Sequence, residues 1–331
     1  MSDFVRTELI NRYRRLLAGD DISKDQLILD IFNFQSKNNP VYKKFINYLG
    51  INPCEIININ QIPFLPTSLY KNHKIITGEW SHEKIFESSS TTGMVPSTNY
   101  VRDLQFYLNN SIYCFEEIFG QVNDFCFYAL LPSYLERNSS SLVYMVDYFI
   151  KKSGCGGFYK KNYKKLLEDI KSYKGKRQKI LIGVTFALIE MAENFQENLH
   201  DVIIMETGGM KGRGKELYRD EVHGILKRGF NLSAVFSEYG MTELLSQCYS
   251  TGEGIFRLPV GMDILITDIY DPFSVLTNGK QGKINIIDIA NIDTCSFIAT
   301  DDLGIKYKDN KFKVLGRTDE SDVRGCNLLF Y

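Results

Sequence analysis

The length, composition and charge of the chain exclude several kinds of protein. Its 331 residues are 44% hydrophobic, enough to bury a large core in one large domain or two moderate ones. The 39 Lys and Arg nearly balance the 40 Asp and Glu, so no global field would recruit nucleic acid or an anionic membrane.

The first segment, MSDFVRTELINRYRRLL, predicts an amphipathic helix rather than a signal peptide, because it lacks a long apolar core. Its apolar face consists of Val5, Leu9, Ile10, Tyr13 and Leu17. A second amphipathic run follows at about residues 24–34. No apolar run approaches the roughly 18 residues that cross a bilayer. We therefore expect a cytoplasmic protein without a membrane span.

The seven cysteines stand singly, without a CxxC pair, and only four histidines accompany them. This pattern does not predict a cysteine and histidine metal centre. An odd number of cysteines in a cytoplasmic chain indicates reduced thiols. We expect most of them to be buried apolar side chains, with one available as a reactive thiol.

Pro63 and Pro66 in INQIPFLPTSLYKN exclude a continuous helix and predict a loop. The strand-like KIFESS follows, and then a segment rich in Ser and Thr. Residues 100–119 have a helical pattern that Gly120 can cap.

Short apolar runs and amphipathic segments then alternate. The runs FCFYALLP, KILIGVTF, DVIIMET and LSAVFSEYG predict buried strands. The segments after them predict helices at 139–150, 186–196, 215–228 and 241–247. The alternation indicates an α/β fold with a mostly parallel sheet covered by helices on both faces.

After Gly254 the sequence pattern changes. Strands separated by turns are predicted by the segments MDILITDIYD, GKINIIDIAN, CSFIATDDLG and KFKVLG. We therefore expect an α/β core with a helical amino terminus at residues 1–256. A β-rich subdomain with a reactive carboxyl-terminal tail would occupy residues 257–331.

Ligands of α/β sheets bind at the carboxyl ends of strands, so the loops there are the candidates for a site. The first loop lies within ESSSTTGMVPST, residues 87–98. Its hydroxyls belong to Ser88, Ser89, Ser90, Thr91 and Thr92, and Gly93 frees backbone N–H groups for phosphate oxygens. Composition alone suits a surface linker equally well, but a strand before the loop and a helix after it favour a phosphate loop.

The second loop, METGGMKGRGKE, has the G-x4-G-K spacing of a Walker A motif from Gly209 to Lys215. Glu216 stands where Mg²⁺ binding requires Ser or Thr, so a glycine-rich strand end lining a nucleotide or acyl pocket is the better interpretation. A plain turn is the alternative.

The third loop, SEYGMTE, offers the flat ring of Tyr239 and close backbone approach at Gly240. Thr242 and Glu243 would hold a phosphate and its Mg²⁺. A glutamate at a helix start is also an ordinary dipole partner. The third loop therefore predicts a phosphate and Mg²⁺ site only in combination with the other motifs.

Four motifs in order resemble the adenylate-forming superfamily of acyl-CoA synthetases, luciferases and peptide-synthetase adenylation domains. They are Ser88 to Gly93, Tyr239 to Glu243, Thr300-Asp301 and Gly316 to Asp319. The resemblance implies the large-domain fold of these enzymes, with ATP and Mg²⁺ as ligands.

The resemblance also implies a role for each matched residue. Residues 88–93 would wrap the ATP phosphates, Thr242 would contact the α-phosphate, and Glu243 would bind Mg²⁺. Tyr239 would stack near adenine.

The resemblance implies roles for two further groups of residues. Asp301 would take the ribose hydroxyls, and Arg317 would reach the ribose or a phosphate. Gly208 and Gly209 resemble the glycine pair that lines the adenine and acyl pocket.

The segments PFLPTSLYK, LPSYLERNSSSLVYMVD, TGGMKGR and GRTDESDVRGCNLLFY narrow the resemblance to LuxE-type acyl-protein synthetases. These enzymes activate a fatty acid for the fatty-acid reductase of bacterial luminescence. In that family a cysteine near the carboxyl terminus accepts the acyl group from the acyl-adenylate, and Cys326 matches it. The implied partners are a fatty acid or other carboxylic acid, and acyl-CoA reductase or acyl-transferase subunits.

The sequence departs from the wider superfamily in three ways. Ser97 stands where many members have Lys, and Ser90 where many have Gly. The sequence also ends 12 residues after Asp319, where the superfamily continues into a mobile domain with a catalytic Lys. We expect that domain to be missing and another cation to serve the α-phosphate, with Lys211, Arg213 and Arg324 as candidates.

The surroundings of Cys326 support a reactive thiol, since it follows Gly325 near the chain end and Arg317 and Arg324 would favour the thiolate. Two alternatives remain open. The chain could be a CoA-dependent or carrier-dependent ligase in which Cys326 is passive, or an adenylate-binding scaffold without turnover.

Overall fold

A computed structural model describes the protein at residues 2–89, 95–131, 138–208 and 217–317. Within these ranges the α-helices are α1 (Ser2–Leu17), α2 (Lys24–Asn38), α3 (Pro40–Tyr48), α4 (Leu69–Asn72), α5 (Leu104–Phe119), α6 (Ser141–Ser153), α7 (Tyr163–Ser172), α8 (Thr185–Phe195) and α9 (Arg219–Phe230). None of these described helices is both long and apolar enough to cross a bilayer.

The strands alternate with these helices in the first two thirds of the chain and dominate the last third. They are β1 (Leu65–Pro66), β2 (Lys84–Glu87), β3 (Thr98–Val101), β4 (Phe125–Leu130), β5 (Gly156–Phe158), β6 (Gln178–Val184), β7 (Val202–Thr207), β8 (Phe236–Tyr239), β9 (Cys248–Ser250), β10 (Ile255–Arg257), β11 (Met262–Thr267), β12 (Gln281–Asp288), β13 (Phe297–Lys306) and β14 (Lys311–Arg317).

The amino-terminal helices are joined to the rest of the chain by specific polar contacts. Asn39 separates α2 from α3: its side chain accepts a hydrogen bond from the Tyr42 N–H at 3.0 Å, and Pro40 follows as the first helical residue. Arg6 of α1 donates to both carboxylate oxygens of Asp293, at 2.5 and 2.6 Å. This bidentate pair ties α1 to a short 3-10 helix at Ile289–Asp293.

One mixed sheet of 12 strands runs through the described chain. Its order is β11-β12-β13-β14-β10-β9-β8-β7-β6-β4-β5, with β1 added in parallel to β13. Strands β5, β4, β6, β7 and β8 are parallel, whereas β8 to β11 along the sheet pair antiparallel. The α/β fold is therefore confirmed, with a sheet in which the predicted parallel part continues into an antiparallel part.

The antiparallel part contains all four strands expected after Gly254, together with the short strands β9 and β10 that the sequence did not reveal. Because β10 pairs with both β9 and β14, hydrogen bonding continues across residue 256. The division into domains at 1–256 and 257–331 stays a prediction.

Helices cover both faces of the sheet. Ser237 of β8 contacts His223 of α9. Ser250 of β9 is paired with Ser237 in the register and therefore points to the same face. The adjacent Tyr249 packs against Phe115 of α5 at a centroid distance of 5.8 Å. Because successive strand residues point to opposite faces, α5 and α9 lie on opposite sides of the sheet.

The α5 face holds an aromatic core. Phe115 makes ring contacts with Phe119, Phe125, Phe127, Phe149 and Tyr249 at centroid distances from 4.7 to 5.8 Å. Phe115 is almost completely buried. Truncation of such a side chain to alanine costs about 3–5 kcal/mol.

The helix predicted at 100–119 is shorter than expected. Residues 98–101 form β3, which pairs antiparallel with β2 as a two-stranded hairpin. The helix begins at Leu104, because the Asp103 side chain accepts the Phe106 N–H at 2.8 Å and caps it. The Ser and Thr loop therefore connects two paired strands, and the expectation that a helix directly follows the loop is wrong.

The expectation of reduced thiols is wrong for one pair of cysteines. Cys126 and Cys155 form a disulfide, with their Cα atoms 4.7 Å apart. The pairing of β4 with β5, in which Phe127 faces Gly156, brings these two residues side by side. Cys114, Cys248 and Cys295 are free and buried as expected, and Cys54 is free and exposed.

Candidate functional site

Three separate segments with predicted site residues come together at the carboxyl end of β8. They are the end of the β2–β3 connection at Ser97 with the adjoining β3, the segment from Tyr239 to Glu243, and the adjoining parts of β13 and β14. The register places Thr207 beside Glu238, so Gly208 at the end of β7 lies next to Tyr239. Other predicted residues lie outside the described residues, namely Ser90, Thr91, Thr92, Gly93, Gly209 and Cys326, and also Lys211, Arg213 and Arg324.

Tyr239 is fixed by its ring and by its hydroxyl. The ring packs against Phe256 and Phe312 at centroid distances of 5.8 and 5.7 Å. The hydroxyl donates a hydrogen bond to Asp302 Oδ2 at 2.7 Å. Burial raises the pKa of Tyr239 well above its ordinary value, so the hydroxyl remains a neutral donor.

Two neighbouring aspartates of β13 have different environments. Asp302 is 5% exposed and accepts hydrogen bonds from Tyr239 and, at 3.1 Å, from Arg317 Nε. Asp301, the predicted ribose ligand, is exposed on the opposite side of the strand. Sequence reasoning missed Asp302, although the period of two from Thr300 would have placed it on the buried face.

Glu243, the predicted Mg²⁺ ligand, is a buried carboxylate. It is 5% exposed. Burial raises the pKa of Glu243 above its ordinary value, and a hydrogen bond from the Ser97 side chain and the charge of Arg317 only partly offset this effect. The protein alone therefore leaves the negative charge of Glu243 incompletely compensated.

The connection between β2 and β3 is closed at its base. The Ser88 N–H donates to the Ser97 carbonyl at 3.0 Å, and the Ser97 N–H donates to Ser88 Oγ at 2.8 Å. Ser88 Oγ thus acts as an acceptor within the loop, and its own hydrogen remains as a donor. Ser89 is exposed.

Gly208 and Gly240 stand at positions that favour glycine, Gly208 because of its backbone conformation and Gly240 because there is no room for a side chain. Gly208 has a φ of +64°, in the left-handed region. A Cβ at Gly240 would lie 2.4 Å from Glu238 Oε1. Glu238 is itself held by a short hydrogen bond from the Thr207 hydroxyl. A side chain at position 240 would therefore displace this buried carboxylate.

The helix predicted at 241–247 is wrong, because buried side chains take the backbone groups that a helix would use. Asp288 accepts from the N–H groups of Leu245 and Ser246, both at 2.9 Å. Asn291 donates to the Glu243 carbonyl at 2.7 Å, and Asn110 donates to the Leu245 carbonyl at 2.9 Å. The segment is an irregular loop that these contacts hold in one place.

We expect Asp288→Asn to destabilise the protein by about 2 kcal/mol. Asp288 also accepts from the Ser246 hydroxyl and the Ala290 N–H, so one amide NH₂ of the variant would face a donor instead of an acceptor. Urea unfolding measures the change. The exposed Asp309→Asn is the control and should unfold like wild type; equal stability of both variants would contradict the role of Asp288.

A second group of buried polar side chains lies next to Gly208, on the α9 face of the sheet. Glu206 accepts from the Thr185 hydroxyl at 2.9 Å, and its Oε1 lies 3.4 Å from Arg219 Nε and 3.8 Å from His223 Nε2. Burial opposes ionisation, but these neighbours and Ser237 hold the pKa of Glu206 below its ordinary value. The cluster therefore favours a charged Glu206.

This depressed pKa makes the contribution of Glu206 to stability dependent on pH. The contribution is present above the ordinary glutamate pKa of about 4.3 and is lost as the pH falls towards the lower folded value. We expect the difference in unfolding free energy between wild type and Glu206→Gln to be largest near neutral pH and to shrink below about pH 4. Urea titrations at several pH values test this, with the exposed Glu193→Gln as a control that shows no such trend.

The residues present fit a nucleotide with a divalent cation. Carboxylate oxygens are ligands that Mg²⁺ prefers, and the buried Glu243 carries charge that a cation would neutralise. Asn99 Oδ1 and Gln247 Oε1 are buried near the Thr242–Glu243 segment without a hydrogen-bond partner. Glu243 would hold the Mg²⁺, which would supply positive charge against phosphate oxygens.

Comparisons with known proteins identify the family and the fold. A model of the LuxE acyl-protein synthetase family matches residues 19–330. No curated protein matches the chain. The solved structures that match include ATP-bound MatB from Rhodopseudomonas palustris, which is 17% identical with a TM-score of 0.53. That match covers 70% of this chain and 47% of MatB, so the chain spans about half of the length of that structure.

A 2-hydroxyisobutyryl-CoA ligase in the postadenylation state, in complex with 2-HIB-AMP, matches with a TM-score of 0.64 and 12% identity. That match covers 89% of this chain and 68% of the ligase. These likenesses confirm the fold expected for the large domain of adenylate-forming enzymes. Because the family model extends over nearly the whole sequence, the chain belongs to the LuxE family of acyl-protein synthetases.

Proposed function

We propose that the protein activates a carboxylic acid, in the first place a fatty acid, with ATP and transfers the acyl group to its own Cys326. The main support is the meeting of β3, the Tyr239–Glu243 segment and the β13–β14 pair at the end of β8, in a chain of the acyl-protein synthetase family. The acid would be adenylated there, and the thiol would act second.

In the first reaction a carboxylate oxygen of the acid attacks the α-phosphorus of ATP, and the bond from that phosphorus to the pyrophosphate oxygen breaks. Residues 88–93 would hold the leaving phosphates, Thr242 the α-phosphate, and Glu243 the Mg²⁺. Tyr239 would bind adenine. Asp302, beside Tyr239, would be better placed for the ribose than the predicted Asp301, which faces the opposite side of β13. Arg317, fixed on Asp302, would present positive charge beside them.

In the second reaction the Cys326 thiolate attacks the acyl carbonyl carbon, and the bond from that carbon to the phosphate oxygen breaks. AMP leaves and a thioester remains on the protein. Eight residues lie between Arg317 and Cys326, so an extended chain would reach at most ~30 Å from Arg317, which is bonded to Asp302. A reductase or acyl-transferase subunit would then receive the acyl group.

Acid-dependent ATP–pyrophosphate exchange, measured with fatty, short-chain and aryl acids, tests the first reaction. Covalent labelling of the protein by a radiolabelled acid with ATP and Mg²⁺, released by hydroxylamine, tests the second. Turnover that requires CoA and leaves no label would instead indicate an acyl-CoA ligase. Absence of pyrophosphate exchange with every acid would indicate an adenylate-binding scaffold.

A further inference from the structure

Asn99 in β3 is a polar side chain in a position that would suit an apolar one. It is 1% exposed, and its Oδ1 is buried without a hydrogen-bond partner. Asparagine is also depleted from β-strands, whereas valine and isoleucine are favoured. Stability alone therefore does not explain an asparagine here, since a buried unpaired amide oxygen is costly.

The other half of the Asn99 amide makes a contact that crosses the site. Its Nδ2 donates to the Thr242 carbonyl at 2.9 Å, over a sequence separation of 143 residues. Ser97, the residue just before β3, lies within hydrogen-bonding reach of the Glu243 carboxylate. The hairpin is thus joined to the Thr242–Glu243 segment by the side chains of Asn99 and Ser97.

Both partners of this contact are also held by other contacts. The segment after Thr242 is fixed from its other side by Asp288, Asn291 and Asn110, as described above. The β2–β3 hairpin forms a separate two-stranded sheet that is not part of the large one, and Phe86 of β2 packs it against Tyr107 and Tyr144. The bond from Asn99 therefore sets the position of one held segment relative to the other.

We infer that Asn99 is a positioning residue that holds the β2–β3 hairpin, and with it both ends of the loop from Ser88 to Ser97, against the Thr242–Glu243 segment. The inference rests on the proposed function, in which that loop takes the ATP phosphates. ATP would contact both sides of this junction. AMP lacks the outer phosphates and would bind the Tyr239–Glu243 side without needing the hairpin.

Isothermal titration calorimetry with ATP and Mg²⁺, and separately with AMP, tests the inference on wild type and Asn99→Val. We expect the variant to bind ATP about tenfold more weakly and AMP within about twofold of wild type. Its melting temperature should equal or exceed that of wild type, because valine suits a buried strand. Binding and stability would then change independently.

Two further variants complete the test. Asn99→Ala removes the same bond without added volume, and Ser88→Ala, at a half-buried position, removes the acceptor of the Ser97 N–H; both should weaken ATP selectively. Asn38→Ala is the matched control, since it removes an amide-to-carbonyl bond of 2.8 Å within α2, and it should bind both nucleotides normally.

Unchanged ATP affinity in the Asn99 variants, or equal loss of ATP and AMP affinity, would overturn the positioning role. Wild type that binds neither nucleotide would overturn the proposed function itself, and this inference with it.

Discussion

Glu243→Gln should lower acid-dependent ATP–pyrophosphate exchange about 100-fold or more, because the variant keeps the shape of the side chain and loses the charge that would hold Mg²⁺. The same change should not lower stability at neutral pH. Burial raises the pKa of Glu243, so stability falls as the pH rises from the ordinary glutamate value through the raised one. A neutral glutamine avoids that cost.

Exchange rates at saturating acid and ATP, together with thermal melting, measure the two effects. Glu117→Gln is a suitable control, because burial also raises the pKa of Glu117 and its carboxylate accepts the Val260 N–H away from the site. We expect normal exchange in that variant. A Glu243→Gln protein with exchange close to that of wild type, or one that melts well below it, would contradict the role given to this carboxylate.

Cys326→Ser should abolish covalent acylation and leave ATP–pyrophosphate exchange intact. A serine hydroxyl is a far weaker nucleophile than a thiolate at neutral pH, so we expect labelling by a radiolabelled acid to fall at least about 100-fold. Adenylation precedes the attack by the thiol and does not use it. The two reactions would thus be separated by one substitution.

Gel autoradiography, before and after treatment with hydroxylamine, measures the thioester. Cys54→Ser is the matched control, because Cys54 is a free and exposed cysteine and would carry any unspecific label. Label that persists in Cys326→Ser, or that disappears in Cys54→Ser, would show that another thiol accepts the acyl group.

The sequence predicted the elements whose patterns are local. The apolar runs before residues 131, 185, 208 and 240 form the parallel strands as expected, since a buried strand needs a continuous apolar run. The helix predicted at 241–247 failed for a non-local reason: Asp288 lies 43 residues from Leu245 and takes its N–H. Periodicity within a segment carries no information on such a partner.

The same limit applies to the site. Motifs predicted Tyr239, Glu243 and Asp301 as site residues, whereas Asp302 and Asn99 were not predicted, because their meaning depends on contacts over 63 and 143 residues. The disulfide between Cys126 and Cys155 likewise depends on the pairing of β4 with an edge strand too short to be predicted. Motifs thus predicted residues with the chemistry to bind a ligand, and the structure revealed the residues that position them.

The hydrogen bond from Arg317 to Asp302 fixes the point from which the chain continues towards Cys326. The eight residues between Arg317 and Cys326 limit how far the thiol can lie from that point. Its effective concentration there is on the order of millimolar or higher. A free thiol such as CoA would have to reach a comparable concentration to compete for the acyl group, so the anchor at Arg317 would bias the protein towards acylating itself before any dissolved acceptor.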